Sequence, residues 1–156
     1  MTTPTEICFW VPGIPKPQPR PRAFAMRVKG TGKSSARVYN PGTAEAWKND
    51  IAIAARDHIP AEPLTGPIFC AIGFYLPRPK RLMRKKDPQH TLYHYRKPDR
   101  DNLDKAVLDA LTHLGFWHDD AQVCEGGARK LYHTKTGRPG AYITIRPLFA
   151  EGSPNE

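Results

Sequence analysis

Five aspartates and a lysine carry most of the chemical interest of this chain. They stand in Lys97-Pro98-Asp99-Arg100-Asp101-Asn102-Leu103-Asp104-Lys105 and, further on, in the pair Asp119-Asp120. Pro98 biases Lys97 toward extended backbone, so the chain enters the first motif without helix. If Asp99 to Asp101 is still extended, both carboxylates point the same way, because side chains alternate along a strand. Asp101 or Asn102 can then cap a following helix. Lys105, one turn beyond Asp101, stands beside the same carboxylate. Converging carboxylates raise each other's pKa, and a divalent cation removes that cost. Mg²⁺ is the fitting ion, since it prefers oxygen and commonly takes one or two carboxylates plus substrate phosphates. Such a site activates water and stabilises a leaving oxygen in phosphodiester hydrolysis. The same residues also read as a helix cap favoured by the helix dipole, an i,i+4 pair and an ordinary turn. Asp104 and Asp109 read as solvated helix charges, with Asp109 the better supporting residue because it lies two turns beyond Asp101.

The elements that must position these groups follow from periodicity and punctuation. Glu6 to Val11 reads as a first strand. The stretch PGIPKPQPRPRA is an extended, proline-rich loop, from which Ala36 to Tyr39 returns as a short strand. Thr43 to His58 reads as a helix, with Ala46, Trp47, Ile51, Ala54 and Ala55 at helical spacing. Ile68 to Leu76 is the strongest strand and ends at Pro77. Arg78 to Lys97 is a charged, proline-punctuated loop of about twenty residues, a length that is often functional. A second helix runs from Arg100 or Asp101 to Leu114, with Leu103, Val107, Ala110, Leu111 and Leu114 as its apolar stripe and Gly115 as its stop. Val123 to Thr134 and Ala141 to Leu148 read as strands joined by a turn at Thr136-Gly137-Arg138-Pro139-Gly140. The expected fold is α+β: a small mixed β-sheet with two main helices packed on one face. One domain is expected over 1–148, with a fraying tail over 149–156.

Composition narrows the function classes. The chain has 156 residues and 39% hydrophobic content, too much for a disordered basic tail. No apolar run approaches the ~18 residues of a membrane span. MTTPTEICFWVPG lacks the basic and apolar regions of a signal peptide, so none is expected. Cys8, Cys70 and Cys124 are scattered, which suggests neither a disulfide framework nor a zinc ribbon but small thiols in a reducing cytosol. His90 and His94 have helical spacing without a third ligand, so zinc is not expected there. Trp10, Trp47 and Trp117 read as core or interface residues; Tyr93 and Tyr95 read either as stacking on an opened base or, the preferred reading, as packing the loop down.

The net charge is +9. Its distribution is uneven: Ile7 to Thr43 holds basic residues and no acid, Arg78 to Lys86 is a second basic run, and seven of the fifteen acids fall between Asp99 and Glu125. A basic chain with one local acidic cluster suggests a polyanionic substrate held against metal-binding acids. Lys16, Arg20, Arg22, Arg78, Lys80, Arg81, Arg84, Lys85 and Lys86 are the candidates for DNA-backbone contact, each of which can equally be a solvated charge.

Taken in order, Asp99-x-Asp101-Asn102-Leu103-x-Lys105, Asp109-Ala110-Leu111, Gly115 and Asp119-Asp120-x-Gln122 resemble the RusA-type Holliday junction resolvases. Val11-Pro12-Gly13-x-Pro15 and the Arg/Pro-rich loop after it resemble the start of that family. The resemblance implies a small α+β domain that works as a homodimer. It also implies a Mg²⁺-dependent endonuclease, often carried by phages or prophages, that cuts four-way DNA junctions symmetrically. Carried over by position, Asp99, Asp101 and Asp120 become the metal-binding catalytic acids and Lys105 the essential lysine; the role of Asp119 stays open. The basic stretch 78–97 and the length of the amino-terminal loop depart from the pattern. Two other functions fit the residues: a non-catalytic basic DNA-binding module, and a metal-dependent hydrolase of another phosphoester.

Overall fold

The computed structural model describes residues 6–19, 22–27, 34–39 and 44–149, with 22–27 and 34–39 described by their backbone. A five-stranded sheet runs in the order β1-β7-β4-β6-β5, from β1 (Ile7–Pro12), β4 (Ile68–Leu76), β5 (Leu92–Tyr93), β6 (Val123–Tyr132) and β7 (Gly140–Pro147). β4 and β6 are parallel and the other pairings antiparallel, so the sheet is mixed. A separate two-stranded ribbon pairs β2 (Arg22–Arg27) with β3 (Ser34–Tyr39). Two helices, α1 (Glu45–Ala55) and α2 (Arg100–Leu114), complete the α+β fold.

The core follows from period two meeting period 3.6. Along β4, Ile68, Cys70, Ile72, Phe74 and Leu76 are buried while the residues between them are half-exposed. Phe9 and Val11 of β1 and Ala141, Ile143 and Ile145 of β7 continue this apolar face. Trp47, Ile51 and Ala55 of α1 cover it, together with Leu103, Ala106, Val107, Ala110 and Leu111 of α2. α2 is the crossover between the parallel strands β4 and β6, which is why it lies against the sheet. It ends at Gly115, whose φ of 93° is the left-handed conformation that glycine adopts without steric cost.

Several expected elements differ in detail. α1 is shorter than 43–58, with Arg56–His58 continuing as a 3₁₀ turn. β2 occupies part of the proline-rich stretch read as a loop, because its residues after Pro21 pair with β3. The 78–97 stretch is less open than expected. It contains a 3₁₀ turn, Lys80–Leu82, and the short β5 on the sheet. At its root Arg78 is only 7% exposed. Its guanidinium donates to the carbonyls of Leu82, Pro88 and His90 at 2.7–2.9 Å, and to that of His133 at 3.4 Å.

The sheet's other face carries Phe69, Ala71, Gly73, Tyr75, Arg129, Tyr142 and Thr144 around a shallow groove of about 590 Å³. Trp10 is partly exposed here and meets Tyr75 at a centroid distance of 5.8 Å, so it is not a core residue. Trp47 and Trp117 are buried as expected. Among the described residues, no helix is long and apolar enough to cross a membrane.

Candidate active site

The first acidic motif sits at the start of α2, with its geometry set by where the helix begins. Arg100 is already helical, and Asp99 is the N-cap residue with φ −72° and ψ 143°. Its carbonyl accepts the amide of Leu103 at 3.2 Å, while its carboxylate makes no capping bond and faces Lys97 Nζ at 3.9 Å. This corrects two expectations. The cap is neither Asp101 nor Asn102, and Asp99 and Asp101 are not related by strand alternation, because Asp101 lies in the first helical turn.

Helical geometry then decides which acids share a side. Asp101, Asp104, Lys105 and Leu108 have the spacing of one flank of α2. Asp109 lies on another side, where it pairs with Lys48 of α1 at 2.8 Å. Asp109 therefore ties the two helices together, and Asp104 takes the supporting place expected of it. Asp104 is half-buried, and burial pushes its carboxyl above the usual range, partly offset by the Arg100 charge.

The second motif is brought back by the turn after α2. Phe116 and Trp117 are buried and anchor the reversal, with Trp117 Nε1 donating to Thr112 Oγ1 at 2.6 Å. Asp119 caps a 3₁₀ turn, Asp120–Gln122, by accepting the Ala121 amide at 2.9 Å, and this bond chiefly holds its carboxyl below the usual range. Gln122 closes the turn. Its side-chain oxygen accepts from His118 and Asp119 amides at 2.8 and 3.0 Å, and its amide nitrogen donates to Leu64 and Gly66 carbonyls at 3.0 Å. Asp119 is thus a builder of the turn.

Asp120 instead lines a cavity of about 230 Å³ with Asp104, Glu125, Cys70, Leu108, Val123, Cys124, Gly126 and Gly127. Asp104 and Leu108 in this lining bring Asp120 to the flank of α2, whereas Asp99, Asp101 and Lys105 are not among the residues that line the cavity. Gly126 shapes the same wall: at φ 121° its backbone passes so close to β4 that a Cβ would collide with the Cys70 carbonyl. Cys70 is no nucleophile, because burial, with the Asp104 charge added, pushes its thiol up to about 12. Sequence reasoning did not single out Glu125 and placed Asp104 below Asp109, although both Glu125 and Asp104 line this cavity. The i,i+3 spacing from Asp101 to Asp104 was the available signal for the second.

The donors on this side are carboxylate oxygens, the chemistry a hard cation prefers. Among the described residues, no three His, Cys, Asp or Glu side chains stand close enough to cage a metal by themselves. The set suits an ion such as Mg²⁺, which keeps waters and draws further oxygens from a substrate phosphate.

The cations fall into distinct groups. Lys16, Lys80, Arg81, Lys85 and Lys86 are exposed, and Arg84 is exposed and bound to Asp87 at 3.2 Å. Arg20 lies outside the described residues, and Arg22 is described only as backbone in β2. Arg78 is a correction: its guanidinium is buried among carbonyls, so it offers no free charge to a phosphate. Tyr93 and Tyr95 are 74% and 87% exposed, so they do not pack the loop down as expected; His94 between them is buried against Tyr132.

The fold and site together define a small α+β domain that presents a carboxylate-lined cavity on a strongly basic chain. The family model for Endodeoxyribonuclease RusA matches residues 12–146, and the chain belongs to that family. A Bacillus subtilis (strain 168) protein named uncharacterized protein YqaN is 33% identical over 149 residues, covering 92% of this chain and 98% of that one. The crossover junction endodeoxyribonuclease RusA of Escherichia coli (strain K12) is 53% identical over 49 residues, 31% of this chain and 41% of its own. The protein of that name from Enterobacteria phage 82 matches to the same extent.

Proposed function

We propose that this protein is a Mg²⁺-dependent endonuclease that resolves four-way DNA junctions by symmetric phosphodiester hydrolysis, acting as a homodimer in recombination and repair. The observation that carries the proposal is the shared cavity. Asp120, far from the α2 motif in sequence, lines one wall with Asp104, on the flank that also bears Asp101 and Lys105. Membership in an endodeoxyribonuclease family and a relative named as a crossover junction enzyme support the substrate. The relative from a phage supports carriage by a phage or prophage, with the enzyme working in the cytoplasm.

Asp99, Asp101 and Asp120 would hold the ion, which supplies a polarised water and charge stabilisation at the scissile phosphate. Lys105, exposed beside Asp101, donates to a non-bridging phosphate oxygen as charge grows on it. Asp119 keeps Asp120 in place through the turn. The exposed basic run from Lys80 to Lys86 holds the phosphate backbone without reading sequence. Two identical sites related by a twofold axis match the two equivalent strands of a junction.

The test is a mobile four-way junction incubated with and without Mg²⁺, beside linear duplex. The proposal expects paired nicks in the junction only with Mg²⁺, and an Asp101→Asn variant that binds the junction and leaves it uncut. Salt-sensitive binding without any product would identify a non-catalytic DNA-binding module. Turnover of a small phosphoester without preference for the junction would identify a different hydrolase.

A further inference from the structure

Asp99 is held by something outside its own helix. Immediately before it, the chain runs Arg96-Lys97-Pro98 on the surface. Lys130 of β6 reaches this segment from the sheet: its Nζ donates to the Arg96 carbonyl at 2.5 Å and to the Pro98 carbonyl at 2.6 Å. Its own carbonyl accepts the His94 amide at 3.1 Å, so the segment is bound to Lys130 at both ends. Lys130 is paired with Phe74 in the β4–β6 register, which puts its side chain on the helix-covered face of the sheet. Burial there lowers its ammonium pKa, and the nearby Asp99 carboxylate opposes that lowering. A second tie from β6, Arg100 Nη1 to the Ala128 carbonyl, is long at 3.5 Å. The short bonds at the root of α2 are those of Lys130.

A lysine that uses two donors on the carbonyls leading to an acid fixes where the carboxylate stands. We infer that Lys130 is a positioning residue for Asp99, setting the carboxylate's place in the metal-binding constellation through the 96–98 backbone. The inference rests on the proposed role of Asp99. It concerns a residue outside the motifs that carry the family resemblance.

The test compares Lys130→Met, Lys130→Arg and Asp99→Asn in the full-length protein. Lys130→Met raises the Mg²⁺ concentration for half-maximal junction cleavage about tenfold, while kcat at saturating Mg²⁺ and KM for the junction stay within about threefold of wild type. Amide hydrogen exchange, followed without Mg²⁺, quickens over 95–101 and not in β4. Lys130→Arg, which keeps the charge and the donors, restores most of the Mg²⁺ response. Mg²⁺ binding measured directly by calorimetry is weakened by Asp99→Asn and is not weakened further when Lys130→Met is added, because Lys130 acts through that carboxylate. An unchanged Mg²⁺ response in Lys130→Met, with Asp99→Asn inactive, overturns the inference and leaves the function standing. Normal cleavage by Asp99→Asn overturns the role of Asp99 instead. If Lys130→Met does not fold, Lys130→Gln is read in the same way, and a lowered melting temperature with an unshifted Mg²⁺ response counts against the inference.

Discussion

Adjacent acids in this chain have different tasks, and the difference comes from what each carboxylate touches. Asp119 accepts a backbone amide and builds a turn, while Asp120 faces a cavity. Asp104 shows the electrostatic consequence of lining that cavity, since burial raises its carboxyl pKa. An acid whose folded pKa is raised stabilises the fold only while protonated. That contribution is present below the ordinary carboxyl range and is lost as pH rises through the raised folded value. Asp104→Asn should therefore raise the melting temperature at neutral pH without Mg²⁺. The gain should shrink as pH falls through the carboxyl range, which paired thermal melts at several pH values would show. Part of the candidate site was legible: the sequence picked out Asp120 and the acidic start of α2, while the cavity that Asp120 lines is shared with Asp104 and Glu125 and not with Asp99, Asp101 or Lys105. Asp104 and Asp109 were ranked in the wrong order because both sit at plausible helical distances. Which one faces Asp120 depends on the helix phase and on where α1 packs, and α1 claims Asp109 through Lys48.

At the scale of elements, the strands and α2 were readable because a single physical rule governs each. β4 alternates between buried and half-exposed residues along its whole length, and α2 has an apolar stripe ended by glycine. The 78–97 stretch was not readable in this way, since much of its order comes from a buried arginine at its root and from bonds to the sheet, not from periodicity. A count of charges treats Arg78 and Arg81 alike. Only the surrounding carbonyls of Leu82, Pro88, His90 and His133 distinguish them. Arg78→Met should strand those carbonyls, at ~1–3 kcal/mol for each one left buried and unpaired. Limited proteolysis should then cut within 79–92 well before the variant loses its helical signal. Equal protease resistance in wild type and variant would show that the loop is held by something else.

For the whole molecule, the net charge of +9 includes an exposed run of cations from Lys80 to Lys86, none of which lines the acidic cavity. Phosphate contacts of this kind release counterions, and the slope of log affinity against log salt falls by ~0.9 for each contact removed from duplex DNA. Lys85→Ala combined with Lys86→Ala should weaken junction and duplex binding alike and reduce the salt slope by about two, as titrations at several salt concentrations would show. An unchanged slope would remove these lysines from the DNA surface. The proposed homodimer makes a separate prediction. Mixed dimers of wild-type and Asp101→Asn subunits should nick a junction on one strand only, so linear resolution products give way to singly nicked junctions on a gel.

All of this depends on acids from two distant parts of the chain acting at one place, and Asp120 is the residue that tests it most directly. Asp120 lines the cavity and is exposed, and its side chain meets that of Asp119, a contact that asparagine can also make, so Asp120→Asn should fold and bind a four-way junction like wild type. Cleavage in Mg²⁺ should fall by at least ~10²-fold, the scale expected when a charge-stabilising group is removed from such a site. Wild-type cleavage by Asp120→Asn, with binding intact, would contradict the account.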